Sequence, residues 1–235
     1  MRKIAFITDT HFDEQFTLDA LLDARKNWEI ILDDLQSRKI TELIIGGDIG
    51  NATSHKYFFE SLKDYSFHLL LGNHDSFIKL SKFHNSKNTT EELYYSFEDE
   101  YYRYIFLDTS SYKVSEKQLT WLTQELRTHK KILIFIHHPI LEVKTIVDKN
   151  YPLKNRKQIK NILESIKKPV TVFCGHYHTN DEQIENNIRQ IITQSASYQF
   201  EKNINHLNIL NSEFGYRIIE IEQNNIRTKL VTFIN

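Results

Sequence analysis

Five times along this chain a short apolar run stops abruptly in a turn that carries Asp, Asn or His. The sharpest case is Phe67-His68-Leu69-Leu70-Leu71, which runs into Gly72-Asn73-His74-Asp75. The same unit recurs where Lys3 to Thr8 meets Asp9-Thr10-His11 and where Leu43-Ile44-Ile45 meets Gly46-Gly47-Asp48. It returns where Lys131 to Ile136 meets His137-His138-Pro139, and where Pro169 to Cys174 meets Gly175-His176-Tyr177-His178. Apolar runs this short, bounded by turn residues, read as buried strands. Between the first three lie stretches of helical spacing. Leu18, Leu21, Leu22, Trp28, Ile31, Leu32 and Leu35 mark one long amphipathic helix over Thr17 to Lys39, and Ser54 to Asp64 marks another. Alternating strand and helix is the pattern of a parallel sheet built from βαβ units, so the expected class is α/β.

The middle of the chain is less regular. Leu93 to Phe97 and Tyr104 to Leu107 read as an antiparallel pair of strands. Ser115-Glu116-Lys117-Gln118 has the form of a capping box opening a helix through Thr128. A loop from Ile140 to Pro152 leads to a helix from Asn155 to Lys167, and the runs after residue 190 read as consecutive strands. With 235 residues and no linker or low-complexity segment, the expectation is one domain over residues 1–235. The formal net charge of −1 argues against a polyanionic partner, so nucleic acid is not expected. A single cysteine, Cys174, rules out an internal disulfide and suits a reducing compartment. No leader-like apolar core and no run of membrane-spanning length is present, which points to a cytoplasmic location without membrane attachment.

The position of the polar turns carries the functional reading. Asp9, His11, Asp48, Asn73, His74, His137, His176 and His178 all follow the C-terminal end of a predicted strand. In an open α/β sheet such ends lie on one edge, where ligands bind in the crevice beyond them. Two carboxylates, one amide and four imidazoles offer mixed oxygen and nitrogen donors, a set suited to Mn, Fe, Co or Zn. Seven donors exceed the needs of one ion and fit two ions sharing a carboxylate, about 3.5–4 Å apart, as in phosphatases and nucleases.

These motifs, taken in order, resemble those of the calcineurin-like metallophosphoesterases: Asp9-x-His11, Gly47-Asp48, Gly72-Asn73-His74-Asp75, His137 and Gly175-His176-x-His178. The resemblance implies a four-layered α/β/β/α sandwich with a dinuclear centre. It implies that Asp9, His11 and His178 hold the first metal, that Asp48 bridges, and that Asn73, His137 and His176 complete the second. His74 would contact the phosphate and leaving group without binding metal, with Asp75 oriented towards it; His138 is read as a histidine that supports a ligand or packs. The pattern departs at Asn51, where the family often carries an acidic residue that would support Asp48. A second likeness, to class III cyclic-nucleotide phosphodiesterases, rests on Tyr151-Pro152-Leu153-Lys154-Asn155-Arg156, on Ser195-Ala196-Ser197-Tyr198-Gln199-Phe200 and on Gly215-Tyr216-Arg217.

The expected activity is therefore hydrolysis of small phosphodiesters, of cyclic-nucleotide or glycerophosphodiester type, by a hydroxide bridging two divalent or mixed-valence transition-metal ions. His74 would protonate the departing alkoxide, and Asp75 would raise the pKa of His74 and fix its ring. A phosphomonoesterase using the same centre is the nearest alternative, ahead of a nuclease or a scaffold on a degenerate site. The partner is a small phosphoester; a homo-oligomer stays open. Substrate choice is expected to depend on Ile140 to Pro152, on Phe77 to His84 and on the C-terminal strands.

Overall fold

The computed structural model describes residues 1–83, 91–202 and 206–235, which leaves His84 outside them. The first half supplies β1 (Arg2–Ile7), α1 (Gln15–Asp19), α2 (Ala24–Ser37), β2 (Glu42–Ile45), α3 (His55–Ser61), β3 (Ser66–Leu69) and α4 (Phe77–Leu80). Next come β4 (Tyr95–Glu98), β5 (Tyr102–Leu107), α5 (Glu116–Glu125), β6 (Lys131–Ile136), α6 (Ile146–Asn150), α7 (Arg156–Ser165) and β7 (Val170–Cys174). Strands β8 (Asp181–Glu185), β9 (Ile188–Ile192), β10 (Gln199–Phe200), β11 (Ile209–Leu210), β12 (Glu213–Glu222) and β13 (Asn225–Ile234) complete the chain.

The strands divide between two main sheets. One runs β13-β12-β1-β2-β3, with β1, β2 and β3 mutually parallel and β12 antiparallel to β1. The other runs β4-β5-β6-β7-β9-β8, with β5, β6, β7 and β9 parallel and antiparallel strands at both edges. The two sheets are those of the expected sandwich, and the polar turns that end β1, β2, β6 and β7 come from both of them. The sheets pack face to face, and the C-terminal strands close the first sheet on the far side of β1.

Period-two alternation explains the layering, because successive strand residues face opposite sides of a sheet. In β1, Ile4 and Phe6 enter the layer between the sheets, while Ala5 and Ile7 join the cluster under α2 and α3 with Trp28, Ile31, Leu35 and Phe58. In β6, Leu133 and Phe135 face the inter-sheet layer, while Ile132, Ile134 and Ile136 pack with Leu119, Leu122, Ile159 and Leu163 of α5 and α7. Each sheet is thus apolar on both faces and needs helices outside it, which gives the four-layered α/β/β/α sandwich. Stacked rings tie the middle together: Phe106 to Phe135 at 5.0 Å, and Phe135 to Phe173 at 5.2 Å between centroids.

Three local expectations need amendment. The helix read from Thr17 to Lys39 is two helices, α1 and α2. Leu21 between them has φ +54° and is 91% exposed, and Leu18 is exposed too, so two leucines counted towards an apolar face point to water. Asp23 then caps α2 by accepting from the Lys26 amide at 3.0 Å. The capping box at α5 forms by half. Ser115 Oγ accepts the Gln118 amide at 3.2 Å, but the Gln118 side chain turns to the Asp108 backbone amide at 3.0 Å instead of returning to the helix start. The loop from Ile140 to Pro152 contains the short helix α6.

Candidate active site

Backbone geometry builds the site first. Asp9, His11, Asp48, His176 and His178 all have positive φ, between 44° and 66°. Non-glycine residues rarely adopt this left-handed conformation, and they cluster at sites whose surroundings hold them there. The turns are stitched to one another. Asp9 and His11 donate amides to the carbonyls of Gly47 and Asp48, both at 3.0 Å, and the Gly175 amide donates to the His137 carbonyl at 3.0 Å. The β1 turn is thereby fixed to the β2 turn, and the β7 turn to the β6 turn. Across the sheets, the His176 amide donates to Asp9 Oδ2 at 3.2 Å.

Close packing of these turns excludes side chains at particular points. A Cβ on Gly72 would lie 2.1 Å from Asp48 Oδ1, and one on Gly175 would lie 2.4 Å from Thr8 Oγ1 and 2.6 Å from Asp9 Oδ2. Only glycine lets those carboxylates occupy their positions.

The side chains then converge. Asp9, His11 and His178 bring donor atoms within 4.8 Å of one another, and Asp48, His137 and His176 do the same. The two groups adjoin: His11 Nε2 is 3.9 Å from Asp48 Oδ2, and His137 Nε2 is 3.9 Å from Asp9 Oδ1. Three of the four imidazoles have one nitrogen tied away from the centre, while Nδ1 of the fourth, His11, makes no hydrogen bond. His137 Nδ1 meets the Gly46 carbonyl at 2.7 Å, His178 Nδ1 meets the Tyr198 carbonyl at 3.0 Å, and His176 Nε2 meets the Tyr151 carbonyl at 3.0 Å. Such bonds set the tautomer and leave the other nitrogen unprotonated for a metal. His178 Nε2 is 3.1 Å from Asp9 Oδ1 and also 3.1 Å from His11 Nε2.

Whether these residues fit metal ions can be judged from their own surroundings. Asp9 Oδ1, His11 Nδ1, Asn73 Oδ1 and His137 Nε2 are buried and make no hydrogen bond. Four orphaned polar atoms in one place would be costly without a further partner. Donors bound at about 2.1 Å from one ion, roughly at right angles, stand about 3 Å apart, and His178 Nε2 to Asp9 Oδ1 at 3.1 Å and His137 Nε2 to Asp48 Oδ2 at 3.2 Å have that spacing without a hydrogen bond. Asp9 and Asp48 are wholly buried, and among the described residues imidazoles are the groups that pair with them. Burial pushes both carboxyls up, yet the neighbouring imidazoles, His178 for Asp9 and His137 for Asp48, hold them well below the usual range. Burial pulls His137 down, but Asp48 and Asp9 lift it to about 10. The pair of carboxylates demands positive charge at this point, and cations answer that demand better than a protonated ligand.

The contacts around His74 and Asp75 differ from expectation. Asp75 does not reach the ring of His74. Its Oδ2 accepts from the amides of Asp48 at 2.7 Å and Gly72 at 2.9 Å, and its Oδ1 from that of Ile49 at 3.1 Å. Burial and the nearby Asp48 charge raise the Asp75 carboxyl to about 7. The ring of His74 instead meets Glu14, with Nδ1 3.0 Å from Oε2. Glu14 was not among the residues the motifs singled out; its only sequence signal is its place three residues after His11, at the start of a helical stretch. Asn51 caps the turn over residues 52–54 by accepting the Thr53 amide at 3.3 Å. The His74 amide is what braces Asp48, donating to Oδ1 at 2.8 Å. His138 packs as expected, wholly buried with Nδ1 2.8 Å from Thr109 Oγ1.

The stretches behind the second likeness turn out to carry the site. Ser195 Oγ and Ser197 Oγ both donate to the Asp9 carbonyl at 2.8 Å, and Tyr151 and Tyr198 supply the carbonyls that hold His176 and His178. Above the converging donors opens a cavity of about 270 Å³, walled by Tyr112, Val147, Tyr151, Tyr198, Phe200 and Leu207. None of its described lining residues is Lys or Arg.

Stacked, helix-flanked sheets with two adjoining carboxylate–imidazole clusters at their strand ends define a metal-dependent phosphoric ester hydrolase. The chain belongs to the calcineurin-like phosphoesterases, whose family model matches residues 2–180. A Fibrobacter succinogenes protein named as a probable cyclic nucleotide phosphodiesterase is 29% identical over 97% of this chain and 93% of its own length. An Arcobacter nitrofigilis protein named as a probable glycerophosphodiester phosphodiesterase is 31% identical over 67% of this chain and 63% of its own. Among solved structures, a dimetal phosphatase from Danio rerio shares the fold with a TM-score of 0.69 at 12% identity, covering 99% of this chain and 98% of that one. Among the described residues no helix is long and apolar enough to cross a membrane.

Proposed function

We propose that this chain is a cytoplasmic, single-domain phosphodiesterase acting on small diesters of cyclic-nucleotide or glycerophosphodiester type at a dinuclear centre. Asp9, His11 and His178 would hold one divalent transition-metal ion, and Asn73, His137 and His176 a second, with Asp48 between them. The observation that carries the diester reading is the cavity wall: aromatic and aliphatic, without Lys or Arg among its described residues. A monoester presents a doubly charged group that phosphate-binding sites usually meet with guanidinium or ammonium. A diester carries one charge and a second organic group, which suits an apolar wall. The names of the two bacterial relatives support the same choice.

Bound there, divalent cations neutralise phosphate oxygens and acidify water. The chain's own groups do the rest. The carbonyls of Gly46, Tyr151 and Tyr198 accept from His137 Nδ1, His176 Nε2 and His178 Nδ1 and keep these rings in the ligating tautomer. The closely packed turns keep bulk water from Asp9 and Asp48. His74, 40% exposed at the cavity, has Nδ1 on Glu14 and leaves Nε2 to face substrate. Burial lowers this ring's affinity for protons, but Glu14 and Asp48 raise its pKa to about 9, so it enters the reaction as an acid. Parallel assay on bis-p-nitrophenyl phosphate and p-nitrophenyl phosphate with Mn²⁺ tests the reading. The diester is expected to be the better substrate, and a clear monoester preference would overturn it. Asp48→Ala is expected to abolish both activities; unchanged hydrolysis would remove the metal mechanism.

A further inference from the structure

We infer that Glu14 is a positioning residue whose one carboxylate oxygen orients the proposed acid His74 and stands against the ring of the proposed metal ligand His11. Glu14 Oε2 lies 3.0 Å from His74 Nδ1 and 3.2 Å from His11 Nδ1, and the two rings stand nearly perpendicular with centroids 5.0 Å apart. A carboxylate only accepts, so a ring nitrogen that bonds to it is the protonated one; His74 Nδ1 faces Oε2 at ion-pair distance, and His11 Nδ1 lies near the same oxygen without a hydrogen bond. With Nδ1 turned to Glu14, His11 turns Nε2 to His178 and Asp9, and His74 turns Nε2 to the cavity it lines.

The segment that carries this carboxylate is itself held. The Glu14 side chain is 12% exposed. Glu14 precedes α1, and its carbonyl accepts the amides of Thr17 and Leu18 and the hydroxyl of Thr17. The preceding residue, Asp13, accepts from Ser54 Oγ and forms an ion pair with Arg25. Phe16 closes the other side, edge-on to His11 at 5.3 Å and to His74 at 6.1 Å. A short, anchored segment therefore links the group that gives up a proton to a group that would bind metal. In the reaction the bond from phosphorus to the leaving oxygen breaks, the proton on His74 Nε2 passes to that oxygen, and the neutral ring keeps its Nδ1 proton on Glu14. The inference rests on the phosphodiesterase reading above.

The test uses the full chain loaded with Mn²⁺ and two diesters, methyl p-nitrophenyl phosphate and methyl phenyl phosphate. p-Nitrophenolate departs without help, whereas phenolate needs a proton. Glu14→Ala is expected to cost on the order of 100-fold in kcat on the phenyl ester, and under tenfold on the p-nitrophenyl ester. Glu14→Gln, which keeps one acceptor oxygen, should recover part of the loss. The double variant Glu14→Ala/His74→Ala should be no slower on the phenyl ester than His74→Ala alone, because residues acting as a unit are not additive. Independently of activity, Mn²⁺ titration of the Glu14→Ala apoprotein should show affinity weakened about tenfold to 100-fold at one site. Equal losses on both esters, or additive losses in the double variant, would overturn the acid-positioning role and leave the diesterase reading intact. Unchanged Mn²⁺ affinity would overturn the link to His11. A wild-type enzyme that hydrolyses neither ester would overturn the diesterase reading and the acid half of this inference together.

Discussion

Asp48 and Asp75 hold each other's turns. The Asp48 amide donates to Asp75 Oδ2 at 2.7 Å, while the amide next to Asp75, that of His74, donates to Asp48 Oδ1 at 2.8 Å. The turn after β2 and the turn after β3 thus form one unit, and Gly72 lies at its centre, its amide also on Asp75.

Removing Asp75 should therefore damage structure before chemistry. Asp75→Ala leaves the amides of Asp48, Ile49 and Gly72 without their acceptor, and a stranded buried amide costs about 1–3 kcal/mol. The urea midpoint is expected to fall by the equivalent of at least about 2 kcal/mol, and Asp75→Asn, which keeps one carbonyl oxygen, by less. A loss below about 0.5 kcal/mol for the alanine variant would contradict this role.

Gly72→Ala tests the approach of backbone to carboxylate. The added Cβ would sit 2.1 Å from Asp48 Oδ1, so Asp48 has to move. A displaced donor of 1 Å can cost about 100-fold in rate. We expect kcat to fall by at least about that factor and Mn²⁺ content to drop, while circular dichroism keeps the wild-type α/β signature.

At the opposite end of the sheets, Asp99 gathers four donors. Its Oδ1 accepts the amides of Tyr101 and Tyr102 at 2.9 and 2.8 Å, and its Oδ2 accepts Tyr104 Oη at 2.6 Å and Arg2 Nη1 at 3.1 Å. Arg2 also pairs with Glu42, so the cluster ties β1 and β2 of one sheet to β5 of the other. Burial pushes the Asp99 carboxyl up, but Tyr104, the two amides and Arg2 bring it below the ordinary value. A depressed folded pKa contributes stability that is present above the unfolded value and lost as pH falls through the folded one. Asp99→Asn should accordingly be less stable than wild type by about 1–2 kcal/mol at neutral pH, discounted for partial exposure. The gap should shrink on acidification below about pH 4, read from denaturant midpoints across pH.

The cavity wall should govern binding more than chemistry. Tyr151 lines it and is 45% exposed, while its backbone carbonyl holds His176 and survives truncation of the ring. Stacking on an aromatic side chain is worth about 1–3 kcal/mol per base. Tyr151→Ala is expected to raise KM for a cyclic-nucleotide substrate by about tenfold, with kcat within about threefold of wild type. A loss confined to kcat would place the ring in the chemistry instead.

What the sequence alone determined lies in residues whose meaning is local. The continuous apolar runs within Lys3 to Thr8 and Lys131 to Ile136 mark strands apolar on both faces, and a strand of that kind ends where polar residues begin. Asp9, His11, Asp48, Asn73, His137, His176 and His178 were legible for that reason, each standing just past an apolar run. Tertiary structure decided what those runs could not state. The number of sheets depends on pairings across the chain, such as β1 with β12, and no short-range pattern encodes them. The split between α1 and α2 escaped because Leu18 and Leu21 match helical spacing yet face water. Glu14 was hidden because a carboxylate before a helix looks like surface until folding brings His74, sixty residues on, against it. Asp75 shows the converse: the family resemblance implied a partnership with His74, but a side chain's partner is set by where the backbone aims it, and here it aims at the amides of another turn.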